Sequence, residues 1–255
     1  MTTDAGRSQF AYARLAGVMY LVVDALYAVE MGIAGRLRVP GDIVETAHRI
    51  TQSELLYRLG LSSAVLAALC TVLIGVGLYG ALRPVDRILA LTGLVFRTAE
   101  GTLFGLQMIV AFAFLKLSTG IDASGFSASQ LAALEGARSA AGAAGYDVAA
   151  LFFSFGSTAF FYLFVRSGYI PRWLAWLGLV GSAIAPVACF GSLVFGLAGP
   201  AYWAFSAPIG AAEILTAIWL LVRGLDLRSH QGATTNPAPT GLGEDLRSTP
   251  SRTAT

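Results

Sequence analysis

Arg97 and Glu100 stand three residues apart in the middle of an apolar stretch running from Ile88 to Leu115. A charge there has no water to solvate it, and ionisable side chains at membrane depth cost roughly 2.5–3.5 kcal/mol each on insertion scales. They persist where they face a bundle interior and find partners. Asp24 and Glu213 lie comparably deep in two other apolar runs, which makes a candidate centre of three acids and one base. Burial and like-charged neighbours favour the neutral form of a carboxyl group, so acids that outnumber their arginine can exchange protons, share a cation or hold a small ligand. Glu213 is the expected proton-exchanging group, since Glu100 has the nearest arginine and Asp24 has two phenols within a turn. The competing reading is packing alone: Arg97 satisfies one carboxylate bidentately, the others sit protonated in hydrogen bonds, and the cluster only fixes helix register.

Other chemistries lack their residues. The two histidines, His48 and His230, fall in a loop and in the C-terminal tail, which removes a histidine-dependent hydrolase and an H-E-x-x-H zinc site. Lys116 is the only lysine and lies at the end of its apolar run, so neither a Ser–Lys dyad nor a mid-membrane Schiff base is available. Cys70 and Cys189 sit singly in apolar stretches and read as small buried hydrophobes. No catalytic residue, metal site or cofactor is predicted.

The elements that must position the charges are long and apolar. Hydrophobic residues make up 56% of the 255-residue chain and charged residues 13%, against about 25% charged in soluble domains. With a mean hydropathy of +0.68, this is the composition of a polytopic membrane protein. A net charge of +2 with no basic run sets nucleic acid aside as a partner and leaves the lipid bilayer. Six runs are long enough to cross a hydrocarbon core needing about 20 helical residues. They lie near 12–35, 57–82, 88–115, 146–165, 173–197 and 203–223, and predict an all-α bundle of six transmembrane helices over 12–228. Arg7 and Arg14 ahead of Leu15–Val23 resemble a signal-peptide start, but the run continues past Asp24 to Gly35 and is read as a span. A serine cap at Ser127 predicts a short interfacial helix to Ala144. Residues 1–11 form a short N-terminal segment, and 229–255, rich in Thr, Pro, Gly and Ser, read as a disordered tail.

At about 1.5 Å per residue, Asp24, Arg97, Glu100 and Glu213 fall roughly 14, 14, 18 and 15 Å deep in a core about 30 Å thick. Four charges from three helices therefore share the midplane. Arg97 and Glu100 are i,i+3 neighbours with Gln107 two turns above Glu100. Tyr20 and Tyr27 share a face with Gly17 and Asp24, and Asp147, Ser154 and Thr158 share another. Glu30 and Asp147 lie nearer the outer surface, so the acids mark a route from the outer mouth inward.

Arginine counts in alternate connections set the orientation. Arg7, Arg14, Arg83, Arg87, Arg166, Arg172, Arg223 and Arg228 fall on one side, and Arg36, Arg38, Arg49, Arg58, Lys116 and Arg138 on the other. Both termini are expected in the cytoplasm. Gly101-x-x-x-Gly105 and Gly181-x-x-x-Ala185 predict close packing within the bundle. Trp173, Trp176, Trp203, Trp219 and Tyr169 predict an interfacial aromatic belt, and Pro186 a kink. Oligomeric state is left open, and no internal repeat of the kind many carriers show is visible.

Several segments resemble a known family. Arg14-Leu-Ala-Gly-Val-Met-Tyr-Leu21, Val39-Pro-Gly-Asp42, Ser53-Glu-Leu-Leu-Tyr-Arg-Leu-Gly60, Leu82-Arg-Pro-Val85, Ser167-Gly-Tyr-Ile-Pro-Arg-Trp-Leu174 and Glu213 to Gly224 are similar to the bacterial integral-membrane family of domain of unknown function 4386, over roughly 10–226. Phe96-Arg97-x-x-Glu100 resembles the third helix of part of that family, and Glu213 its last-helix acid. Where many members carry a histidine near the start of the fourth helix, this chain has Gly145-Tyr146-Asp147, so a mechanism needing an imidazole there does not carry over. The resemblance implies a multi-spanning protein of the bacterial cytoplasmic membrane and supplies no activity.

Overall fold

A computed structural model describes residues 4–119 and 125–227, and every regular element among them is a helix. They are α1 (Asp4–Leu37), α2 (Ile43–Gln52), α3 (Glu54–Leu82), α4 (Arg87–Thr119), α5 (Ala128–Ser167), α6 (Arg172–Phe195) and α7 (Pro200–Val222). All but α2 are long and apolar enough to cross a bilayer. The protein is an all-α membrane protein of six spanning helices. Each spanning helix packs on the next in the order α1, α3, α4, α5, α6, α7, and α7 returns to α1, so the six form a closed ring.

Without a hydrophobic drive between helices in lipid, such a ring depends on close backbone approach. At Gly77 a Cβ would come within 2.8 Å of Ala16 N and Tyr12 O, and at Gly181 within 2.8 Å of Ile209 N. These glycines let α3 meet α1 and α6 meet α7. Gly101 likewise faces Ala68 O on α3, and Ala185 is buried, whereas Gly105 meets nothing nearby. Within the ring, Tyr20, Ile74, Leu78, Phe160, Phe164, Leu174 and Leu220 belong to one apolar core.

Three elements differ from their sequence outline. The first helix starts at Asp4, where Gln9 Nε2 donates to Ala81 O at 2.8 Å and ties the early turns to α3. The 36–56 connection contains α2, capped by Asp42, whose Oδ1 accepts from Glu45 N at 2.9 Å. Its Thr46, Ala47 and Ile50 are buried and it packs mainly on α5. Its apolar residues fall on one face, but the segment is too short and too polar to count as a span. Finally, Ser127 and Gln130 make the reciprocal capping box, but the helix they start does not stop at Ala144. It runs unbroken for 40 residues to Ser167, because Ala140–Ala144 propagates a helix and no proline or cap interrupts it. At about 1.5 Å per residue this helix is near 60 Å long, twice the hydrocarbon core, so its first turns project beyond the membrane.

α6 continues through Pro186, and α7 through Pro208. Trp173, Trp176 and Trp203 are exposed, while Trp219 packs against the core and Tyr169 is buried with its hydroxyl near Gln9. Those last two are not belt residues. The disordered tail expected over 229–255 lies outside the described residues.

Candidate functional site

Arg97 projects from α4 into the centre of the ring and is only 2% exposed. One helical turn along, Glu100 meets it: Nη1 donates to Glu100 Oε2 at 3.0 Å. The second terminal nitrogen serves three other helices. Nη2 donates to Tyr20 OH of α1 at 3.0 Å, to Ser157 Oγ of α5 at 3.1 Å and to Glu213 Oε1 of α7. Tyr20 and Ser157 pass the interaction on, donating to the same Glu213 oxygen at 3.1 and 2.9 Å. The guanidinium also lies 4.7 Å from the Phe153 ring centroid and 5.5 Å from that of Tyr20. Arg97 Nε has no partner among the described residues.

The electrostatics follow from the donor count. Glu213 Oε1 collects a guanidinium and two hydroxyls, the environment of an ionised carboxylate. Glu100 accepts only from Arg97 Nη1. One positive charge stands against two buried acids, so the second negative charge has to be met by a proton or a cation.

Among the described residues Asp24 makes no hydrogen bond or ion pair to this cluster, although its charge lies within electrostatic reach of Arg97 and Glu213. Four residues advance a helix by about 40° beyond a full turn, which carries Asp24 off the Tyr20 direction and leaves it exposed. Neither neighbouring phenol serves it: Tyr20 OH bonds Glu213, and Tyr27 OH is buried without a partner among the described residues. Asp24 lies one turn beyond Tyr20, through which α1 contacts Glu213 of α7. The two helices touch at Gly17, where a Cβ would sit 3.0 Å from Ala217 O, and again through Tyr20 and Glu213. Two turns before Ala217 on the same stripe of α7, Gly210 is exposed with open space beside it.

The half of the ring toward α2 is aromatic. Tyr27 meets Phe104 at 5.7 Å between centroids, and Phe104 meets Tyr146 at 5.9 Å. Gln107 Nε2 is buried beside Gly145, without a partner among the described residues. Asp147 is buried and accepts from Tyr202 OH of α7 at 3.0 Å, apart from the Arg97 cluster. Ser154 bonds its own Ala150 O, and Thr158 bonds Ser182 Oγ of α6 at 2.9 Å, so that polar face is spent on packing. Sequence reasoning missed Ser157, Phe153 and Tyr202. A serine in an apolar helix carries little signal, since it can bond the preceding turn, and an aromatic ring carries none.

A second, half-buried pair lies within the projecting part of α5, where Arg138 donates to Glu135 through Nε and Nη2, both at 2.6 Å. Among the described residues no group of three His, Cys, Asp or Glu could hold a metal ion.

The family model for the domain of unknown function DUF4386 matches residues 15–224. The chain belongs to that family. Neither the curated proteins nor the solved structures contain a match. For this DUF4386 protein, Arg97, Glu100 and Glu213 all fall within the matched segment, as do Tyr20 and Ser157.

Proposed function

We propose that this DUF4386 protein resides in the bacterial cytoplasmic membrane with both termini in the cytoplasm, and that its Arg97–Glu100–Glu213 centre binds a proton, cation or small ligand for transport or sensing. The observation that carries the reading is the sharing of one guanidinium by two buried carboxylates from different helices. Intramembrane charges of this kind mark proton relays and substrate paths. The donor count moves the exchanging role from Glu213 to Glu100.

The packing reading draws support from a different observation: both terminal nitrogens of Arg97 are taken by protein partners, which ties α1, α4, α5 and α7 together. Infrared difference spectroscopy of the reconstituted protein under pH and sodium steps separates the two. A buried carboxyl signal that responds to either step and is lost in a folded Glu100→Gln variant supports binding. A folded variant with every response intact supports packing.

A further inference from the structure

At the opposite end of the ring from α2, the turn between α3 and α4 builds a basic concavity lined by Tyr79, Arg83, Pro84 and Arg87. Tyr79 and Arg83 are one turn apart at the end of α3, Pro84 lies in the turn, and Arg87 opens α4. Two guanidinium groups thus approach from two helices. Both are exposed, and neither makes an ion pair or side-chain hydrogen bond among the described residues. The acid of the turn is committed elsewhere: Asp86 Oδ1 accepts from Leu89 N at 3.0 Å, capping α4, and Oδ2 faces Arg166 Nη1 at 3.5 Å.

We propose that this pocket binds a phosphate group, supplied by the headgroup of an anionic phospholipid. A guanidinium presents a planar fork of N–H donors matched to a pair of oxygens. Two forks from different directions suit a tetrahedral phosphate, whose oxygens face more than one way, better than a carboxylate with a single edge. Position favours a lipid over a soluble anion. The pocket lies where the apolar spans of α3 and α4 end, at headgroup level, and basic pockets there are a recognised mode of lipid binding. Immediately beyond Arg87, Ile88 and Leu91 are exposed along α4 and offer an acyl chain its track. The pocket is separate from the Arg97 centre, so its fate does not depend on that reading.

The test is native mass spectrometry of the full chain in detergent, titrated separately with phosphatidylglycerol, phosphatidylcholine and inorganic phosphate. Phosphatidylglycerol should bind in preference to phosphatidylcholine, and Arg83→Gln with Arg87→Gln should weaken it roughly thirtyfold, about fivefold for each basic residue near an anionic surface. Arg223→Gln, an exposed arginine at the same end, should change nothing. Displacement of the lipid by inorganic phosphate at equal concentration would keep the phosphate site and make its source soluble. Equal binding of both lipids, or equal loss in Arg223→Gln, would overturn the proposal. Should the double glutamine variant fail to fold, Arg83→Lys with Arg87→Lys decides: it keeps the charge without the fork, so weakened binding supports the pocket and undiminished binding overturns it.

Discussion

Arg97 on α4 and Glu213 on α7, 116 residues apart in sequence, meet through the guanidinium nitrogen that also contacts Tyr20 and Ser157. Helix three of the six spans is thereby joined to the last across the middle of the ring, while Glu100 occupies the other terminal nitrogen. Each carboxylate has its own face of one cation.

Removing that cation should be costly and recoverable. Arg97→Met, which keeps apolar bulk, is expected to destabilise the protein in detergent by about 3–5 kcal/mol, the cost of leaving buried partners unpaired. Adding Glu100→Gln and Glu213→Gln together should recover more stability than either alone, read from denaturation midpoints. No recovery in the triple variant would mean that the ion pairs are not what Arg97 supplies.

Protonation should follow the donor count. In infrared spectra the buried carboxyl band is expected to shift in Glu100→Asp and to stay in place in Glu213→Asp, since aspartate keeps the two acids that face one guanidinium. The reverse pattern would return the exchanging role to Glu213.

Helix contacts should separate two glycines of similar apolar setting. Gly181→Val drives side-chain atoms into the Ile209 backbone and should cost about 1–3 kcal/mol, as overpacking does. Gly210→Val points into open space and should leave the melting temperature near that of the parent. A large loss at Gly210 would show that α1 and α7 close there.

Orientation can be read by labelling. In a background with Cys70 and Cys189 replaced, an impermeant thiol reagent applied to intact cells should modify Gly120→Cys and spare Thr240→Cys. Labelling of position 240 from outside would invert the topology.

The six spans, the shared depth of Arg97, Glu100 and Glu213, the i,i+3 pairing of Arg97 with Glu100 and the cap at Ser127 were all legible in the sequence. Each depends on composition, length or spacing along one helix, which local chemistry dictates whatever the neighbours do. The tertiary structure alone decided that Glu213 joins Arg97, that Asp24 stands exposed outside their hydrogen bonds, and that Ser157 rather than Ser154 or Thr158 faces the centre. It also decided that Tyr169 is buried and that the capped segment and fourth span are one helix. The physical reason is rotational. A soluble helix declares its inner face by an apolar stripe, but a spanning helix is apolar all round, so its rotation about its own axis is set by where glycines such as Gly77 and Gly181 let neighbours approach. A rotation of some 40° separates Tyr20, inside the cluster, from Asp24 at its edge.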